Sequence, residues 1–157
     1  MAKIDIEVIE AKFLQIVQDN LPAKLTEINT EKGDSLLTNI SNSNYLNDFY
    51  QSELTPSLFI HYGISDPETI SVGSDFAINW TVYFDVYLND QNNLSTVRKR
   101  IIRYTRALYE VIQENYSVLS RYCSIPEIAN VEPQDVQDIV NDTPYKTGGI
   151  KIKVSIG

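Results

Sequence analysis

The segment Phe76–Leu88 places the strongest constraint on the fold, because two kinds of side chain alternate along it without a break. All seven even-numbered positions carry large apolar side chains, and the odd-numbered positions carry small, polar or tyrosine side chains. Successive side chains of a β-strand point to opposite faces, so this period of two predicts a strand with one buried face. Burial of seven such side chains contributes on the order of 10–20 kcal/mol before entropic costs, which makes the strand central to folding.

The length of this strand also bears on assembly. Thirteen residues span about 43 Å at ~3.3 Å per residue, whereas a compact chain of 157 residues is about 39 Å across. The strand must therefore bend, carry a bulge or project beyond the core, and all three remain open at this point. A projecting end leaves unpaired strand edges for a partner. The Phe76 end and the adjoining loop over 65–75, with Ile70 and Val72, thus form a candidate docking arm.

The whole pattern predicts an α+β fold with the element order α-β-β-α-β-β. An antiparallel sheet of about four strands is expected to carry two main helices on one face. Apolar residues at spacings of three and four predict a first helix over 5–20, with Pro22 either interrupting it or opening a second short helix. The same spacing predicts the main helix over 95–119.

The remaining elements are strands and connections within what we expect to be a single domain over 1–157. Gly148-Gly149 is expected to form a turn that releases the last strand. Residues 33–55 are rich in Ser, Asn, Asp and Thr, which predicts a long polar connection. Residues 65–75 contain Asp-Pro and Gly-Ser and predict an extended hairpin loop. The strands are predicted over 58–64, 76–88, 127–131 and 150–156.

Charge is distributed unevenly along the chain. The net charge is −8, which argues against a nucleic-acid binder as a whole. Residues 94–121 nevertheless carry six cationic and two acidic side chains, a local net charge of +4. A basic helix on an acidic body can dock against an acidic surface, including a second copy of the chain. The candidate interface residues on this helix are Arg98, Lys99, Arg103 and Arg106, and Tyr83 and Tyr87 on the polar face of the long strand join them because tyrosine is enriched at interfaces.

No recognisable catalytic, cofactor or metal motif occurs in the sequence, so we expect a non-enzymatic protein without a cofactor or metal. His61 lacks further ligands at metal-site spacing and is expected to be structural or on the surface. Cys123 is expected to be a small, partly buried side chain rather than a nucleophile. Asp85 is expected to form a cross-strand salt bridge, with Lys151 or Lys153 as candidate partners. No signal peptide or membrane-spanning segment is expected.

The order of elements resembles that of the tail-terminator, or tail-completion, proteins of tailed bacteriophages and related neck proteins. The resemblance consists of the long alternating hairpin, the turn into an amphipathic helix and the closing strand. With the N-terminal helix it covers most of the chain, and the stretches that carry it are 56–64, 76–88, 95–119 and 149–156.

The resemblance implies a ring, usually hexameric, that caps the head-proximal end of the tail and joins it to the head connector. The implied partners are other copies of the chain, the tail tube or sheath protein and neck proteins, and DNA passes through the lumen without specific binding. The implied location is the virion, after assembly in the host cytoplasm. The connection over 33–55 exceeds the minimal pattern and leaves open a sheath contact or another neck position. The alternative is an α+β module that binds nucleic acid or a ligand on the basic face of helix 95–119.

Overall fold

A computed structural model describes residues 5–46, 56–64, 70–72, 75–88, 94–137 and 144–156. Within these ranges the helices are two long ones and a short one, and the strands are four long ones and two short ones. The helices are α1 (Ile6–Lys32), α2 (Leu94–Glu114) and α3 (Tyr116–Leu119). The strands are β1 (Tyr45–Leu46), β2 (Ser57–Ile64), β3 (Ile70–Val72), β4 (Asp75–Leu88), β5 (Ser124–Gln137) and β6 (Pro144–Ile156).

The predicted α+β architecture is confirmed. The four long strands form an antiparallel sheet in the order β2-β4-β6-β5. The two short strands extend this sheet: β1 pairs with β2 in parallel over two residues, and β3 pairs with the start of β4. The two main helices α1 and α2 pack against each other and against the sheet.

The alternation along β4 separates the two faces of the sheet. Val82, Phe84 and Val86 are fully buried, whereas Tyr83 and Asp85 between them are only partly buried. Phe84 contacts Phe13 of α1 edge to face, with ring centroids 5.6 Å apart. Both helices therefore cover the even-numbered face of β4, as the pattern predicts.

Helix α1 is continuous through Pro22, so this proline neither interrupts the first helix nor opens a second one, and both predicted alternatives are wrong. A proline inside a helix costs about 3 kcal/mol, because one backbone hydrogen bond is lost and the ring meets the preceding turn. The residues around it offset this cost by burial, since Leu21, Leu25 and Ile28 are at most 2% exposed and each contributes roughly 1.5–3 kcal/mol. The helix ends at Gly33, whose φ of 68° suits a left-handed cap.

Helix α2 has the predicted apolar stripe. Its six members are all at most 2% exposed: Val97, Ile101, Tyr104, Leu108, Val111 and Ile112. The helix ends at Glu114, and the short α3 follows it. The prediction of one helix over 95–119 is therefore wrong, because this range contains two helices.

The first part of the predicted polar connection is packed onto the helices. Leu37 and Ile40 are at most 4% exposed and belong to the core. The side-chain amide of Asn29 donates to the Leu37 carbonyl and accepts from its N–H, at 2.8 and 3.0 Å. The Tyr104 hydroxyl donates to the Thr38 carbonyl at 2.5 Å and accepts from the Thr38 N–H at 3.1 Å. Residues 47–55 of this connection lie outside the described residues.

Tyr104→Phe tests this attachment. We expect the variant to lose about 0.5–1.5 kcal/mol of unfolding free energy, because two hydrogen bonds to Thr38 disappear while the ring stays packed. Urea unfolding measures the change, and Tyr109→Phe is the matched control because Tyr109 is 37% exposed on the same helix. Equal losses in the two variants would contradict an anchoring role for the Tyr104 hydroxyl.

Gly148-Gly149 lies inside β6 and is not a turn, which corrects the prediction. The two glycines are opposite Val86 and Asp85 of β4. A Cβ on Gly148 would lie 2.5 Å from Cγ2 of Ile101, and a Cβ on Gly149 would overlap the carbonyl oxygen of Phe84. The pair therefore lets α2 and the neighbouring strand approach β6 closely, a use of glycine that turn propensity does not reveal.

Strand β5 is longer than the predicted 127–131. Pro126 and Pro133, which punctuate the sequence, each lie within one of the two register shifts between β5 and β6. Proline is tolerated at bulges and on edge strands, because neither position requires its missing N–H. Among the strands described, β5 is at the edge of the sheet, so both conditions hold and the strand continues past both prolines.

Candidate interaction surfaces

The first candidate surface is the end of the β3–β4 hairpin. β6 reaches only to Ile156, opposite Ile78, and β2 reaches only to Ile64, opposite Trp80. Beyond these pairs, residues 75–77 of β4 pair with 70–72 of β3 and with no other described strand. The segment predicted as a loop over 65–75 therefore contains a strand, and we call the paired residues 70–72 and 75–77 the arm.

A strand as long as β4 must bend, carry a bulge or project beyond the core, and its pairing bears on the bulge. Its ladder with β6 runs without a register shift from Ile78 to Leu88, so β4 has no bulge there. The irregularities of the sheet lie instead between β5 and β6. The pairing therefore excludes a bulge in β4 over residues 78–88 and is compatible with a projecting arm whose outer edges pair with no described strand.

The second candidate surface is a basic patch on α2. It is a shallow depression of about 480 Å³ with one apolar side chain among five cations, and we call it the basic patch: Lys32, Arg98, Lys99, Ile102, Arg103 and Arg106. The four basic residues predicted from the sequence are therefore brought together, and the last residue of α1 joins them. Ile102 is 50% exposed in the middle of this set.

Two of the four predicted arginine and lysine side chains already have partners within the chain. Arg103 binds both carboxylate oxygens of Asp34 at 2.8 Å. Arg106 binds both carboxylate oxygens of Glu31 at 2.9 and 2.7 Å, and also Glu110 at 2.8 Å. These contacts join α2 to the C-terminal end of α1, so their first role is intramolecular.

The other two basic residues have no such partner. Arg98 and Lys99 are exposed, and neither forms an ion pair with any residue that the structure describes. Their charges lie in the first turns of α2, where the helix dipole disfavours them by a few tenths of a kcal/mol each. Arg98 and Lys99 are therefore the cations of the basic patch that remain available to a partner.

The ion pairs at the end of α1 predict that acid weakens the fold. Hydrogen bonds from Arg106, and then from Lys32, lower the pKa of Glu31 from 4.5 to about 2, and Arg103 lowers the pKa of Asp34 below 3.8. A lowered native pKa stabilises the fold above the unfolded value, and this stability is lost as the pH falls through the native value. We expect the urea midpoint to fall between about pH 5 and about pH 2, and to fall less in Glu31→Gln combined with Asp34→Asn. Identical pH profiles would contradict this assignment.

A buried lysine joins the two helices further along and was not singled out from the sequence. Lys24 is 6% exposed, and its Nζ lies 2.6 Å from Glu114, 3.0 Å from Glu27 and 3.8 Å from Glu110. The hydrogen bond to Glu114 is the largest cause of its raised pKa, which outweighs burial. The position of Lys24 between the apolar Leu21 and Leu25 was a sequence signal for its burial. Its partners on α2 could not be predicted, because they are 86 to 90 residues away in the chain.

The third candidate surface is a depression of about 320 Å³ near the N-terminal end of α1. It is lined by two carboxylates and three less polar side chains, and we call it the acidic patch: Glu7, Glu10, Ala11, Leu14 and Tyr62. Burial, followed by the charge of Glu7, raises the pKa of Glu10. The charge of His61 acts in the opposite direction, although no described cation forms a close ion pair with Glu7 or Glu10. This surface was not predicted from the sequence.

The odd-numbered face of β4 carries the two predicted tyrosines and an unpredicted contact between His61 and Asp85. His61 Nε2 lies 2.7 Å from Asp85 Oδ2, so Asp85 pairs with His61 and not with Lys151 or Lys153 as predicted. The register explains the difference, because Asp85 is opposite Gly149 of β6 and Phe59 of β2, and His61 is its diagonal neighbour on β2. Lys153 pairs instead with Glu127. The His61 ring stacks on Tyr83 with centroids 4.8 Å apart.

Tyr87 lies further along the same face and is half-buried. Its ring meets Phe59 edge to face, with centroids 6.4 Å apart. Burial, followed by the charge of Asp85, raises its pKa to about 12. Tyr83 and Tyr87 therefore share one face as predicted, and their role at an interface stays a prediction.

The cysteine, the potential metal-binding groups and the helices bear on whether the chain has a reactive thiol, a metal site or a membrane span. Cys123 is 7% exposed, and burial raises the pKa of its thiol to about 11, which leaves little thiolate at neutral pH. Within the described ranges, no three His, Cys, Asp or Glu side chains form a group that could hold a metal ion. No helix in that part of the chain is long and apolar enough to cross a membrane.

Comparison with known proteins adds no relative to this picture. Neither a scan against protein-family models nor a search of curated proteins found a match.

Proposed function

We propose that this chain is a non-enzymatic structural protein of a tailed bacteriophage, which forms a ring at the head-proximal end of the tail. The ring, expected to be hexameric, terminates polymerisation of the tail tube or sheath and joins the tail to the head connector. On this proposal the protein belongs to the tail or neck of the virion after assembly in the host cytoplasm. The genome passes through the lumen without specific binding.

The arm is the observation that carries this proposal. A hairpin end whose outer edges pair with no other described strand can add a strand to a neighbouring subunit or lie against the end of a tube. Isolated two-stranded hairpins are marginally stable in water, so a projecting arm gains stability from a partner. The element order supports the same function, because it is the order on which the resemblance to tail-terminator proteins rests.

The charge distribution also suits a ring around DNA. The chain has a net charge of −8, and like charge keeps a nucleic acid from adhering to the wall of a channel. The basic patch then faces another protein surface and not the lumen. On this proposal the acidic body lines the DNA channel and the basic helix contacts a protein partner.

Electron microscopy of the purified protein tests the proposal, alone and mixed with tubes of the tail-tube protein encoded nearest to its gene. We expect rings of uniform diameter, or rings at one end of each tube. Tubes grown in the presence of the protein should stop lengthening, whereas tubes alone continue to grow. A protein that forms no ring and never binds a tube end would overturn the proposal.

A second candidate function is favoured by the unpaired cations of the basic patch. Arg98 and Lys99 in a depression of about 480 Å³ could bind an anionic ligand or nucleic acid. Against this reading, Asp34 and Glu31 already neutralise Arg103 and Arg106. The test is retention of single- and double-stranded DNA at rising salt. Retention that disappears in Arg98→Glu with Lys99→Glu supports the second function, and no retention of the wild type at low salt excludes it.

A further inference from the structure

The exposed residues of the basic patch form a stripe along α2. Arg98 and Lys99 are four and three residues before Ile102, so the three side chains are neighbours on one helix face. Arg106 continues the stripe after one further turn. From Arg98 to Arg106 the stripe spans about 12 Å at ~1.5 Å per residue. Its centre is apolar, because Ile102 is half-exposed, and its free charges are positive.

The acidic patch forms a stripe of the same kind along α1. Four of its residues lie at positions i, i+3, i+4 and i+7 of the helix and therefore share one face: Glu7, Glu10, Ala11 and Leu14. The stripe spans about 10 Å from its first to its last residue. It has two carboxylates at one end, and Tyr62 of β2, 37% exposed, borders its apolar part.

The two stripes are complementary in charge, length and apolar content. Each has charged residues beside an apolar part, and protein interfaces commonly combine the two. The charges are opposite. Among the described residues, neither the two cations nor the two carboxylates form a close ion pair, although Asp34 lies near Lys99 and His61 lies near Glu10. Glu7 and Glu10 also repel each other on one face, since like charges at this spacing destabilise a helix. A cationic partner would remove that repulsion.

The stripes lie at opposite ends of the molecule. Lys32 belongs to the basic patch and Glu10 to the acidic patch, and the 22 residues of α1 between them span about 33 Å. One copy therefore cannot join its own two stripes. A contact between the basic patch of one copy and the acidic patch of the next is head-to-tail, and contacts of this type generate closed rings or open filaments.

We propose that copies of this chain associate head to tail through these two stripes. Ile102 of one copy enters the acidic patch of the next, where it packs against Ala11, Leu14 and Tyr62, and Arg98 and Lys99 face Glu7 and Glu10. The inference rests on the proposed ring and names the surfaces that would hold its subunits together.

Charge reversal with a crossed mixture tests this contact. Arg98→Glu with Lys99→Glu reverses the basic stripe, and Glu7→Lys with Glu10→Lys reverses the acidic stripe. Each variant should self-associate at least about tenfold more weakly than the wild type in sedimentation velocity at low salt. An equimolar mixture should regain association beyond two copies, because the two intact stripes match each other and the two reversed stripes are again of opposite charge.

A control of equal charge separates a specific contact from general repulsion. Arg121→Glu with Lys151→Glu changes the net charge as much as the basic-stripe variant does, at positions outside both stripes. This control should associate like the wild type. A control that associates as weakly as the stripe variants, a mixture that stays dissociated, or an assembly that stops at two copies would overturn the head-to-tail contact.

The outcomes separate this inference from the proposed function. Rings that form equally well in the wild type and in both stripe variants overturn the inference and leave the ring proposal standing. A wild type that stays monomeric alone but binds tube ends does the same. A wild type that neither associates nor binds tubes overturns both.

Discussion

Gly149→Ala is expected to lower the free energy of unfolding by about 3 kcal/mol or more, a large share of the ~5–15 kcal/mol by which ordinary domains are stable. The added Cβ overlaps the carbonyl oxygen of Phe84, and the backbone of Asp85 is also within contact distance. Relief requires β4 and β6 to separate at the centre of the sheet. Backbone hydrogen bonds on both strands would then be strained, because neither obstacle is a side chain that can rotate away. Urea unfolding followed by circular dichroism measures the loss.

Gly148→Ala is the matched control, since it adds the same methyl group one residue earlier in β6. Its nearest obstacle is Cγ2 of Ile101 at 2.5 Å, and the next nearest atom is 3.5 Å away. The helix side chain can shift to accommodate the methyl group, so we expect a smaller loss of about 1–3 kcal/mol. Equal losses for the two substitutions, or a Gly149→Ala protein as stable as the wild type, would contradict the role assigned to the close approach at Gly149.

The two glycines also show where sequence reasoning stops. Period-two alternation in β4 and the stripe of α2 predicted the core correctly, because burial repeats with the geometry of the element itself. Gly148-Gly149 was read as a turn because turn propensity is local, whereas the reason for these glycines is the approach of Ile101 and Phe84 from distant parts of the chain. The same contrast between local tendency and distant contacts applies to three prolines, Pro22, Pro126 and Pro133. Each has a local tendency to interrupt an element, and tertiary packing or an edge position overrides it.

The candidate surfaces were predictable to different degrees. The basic residues of α2 could be found from the sequence because they cluster along one helix. The ion pairs of Arg103 with Asp34 and of Arg106 with Glu31 could not be predicted. Those partners are 69 and 75 residues away, and only the packing of α1 against α2 brings them together. The acidic patch was missed for a similar reason, since Tyr62 of β2 completes a surface whose other members lie on α1.

The arm contains a strand that was not predicted, and its projection stays a prediction from the length of β4. A strand as long as the domain is wide implied projection as one of three outcomes, and the ladder between β4 and β6 removed the bulge over its length. The pairing of Ile70 with Ala77, of Ser71 with Phe76 and of Val72 with Asp75 was not predicted, because Asp-Pro and Gly-Ser in this segment suggested a loop throughout. Local turn signals do not reveal a strand of three residues.

Shortening the arm is expected to abolish or strongly weaken assembly while leaving the fold intact. Removal of Ser71, Val72, Asp75 and Phe76 deletes two opposed pairs and shortens the hairpin by about 6–7 Å at ~3.3 Å per residue. The main sheet keeps its pairing, because β6 and β2 contact β4 only from residues 78 and 80 onward. We expect the unfolding midpoint to stay close to that of the wild type. Self-association and binding to tube ends should fall by at least about tenfold, since the free edges available to a partner are lost.

The control for this deletion keeps the arm at full length. Replacing Gly73-Ser74 by Asn-Gly retains two residues between the paired strands and uses a sequence that favours tight hairpins, so assembly should match the wild type. Sedimentation velocity and counting of capped tubes in micrographs measure both variants. A shortened protein that folds, associates and caps tubes like the wild type would make the arm an extension of the fold without a role in assembly. A loss of folding together with assembly would show instead that the arm stabilises the sheet, because the ladder with β6 would then be insufficient to hold β4 in place.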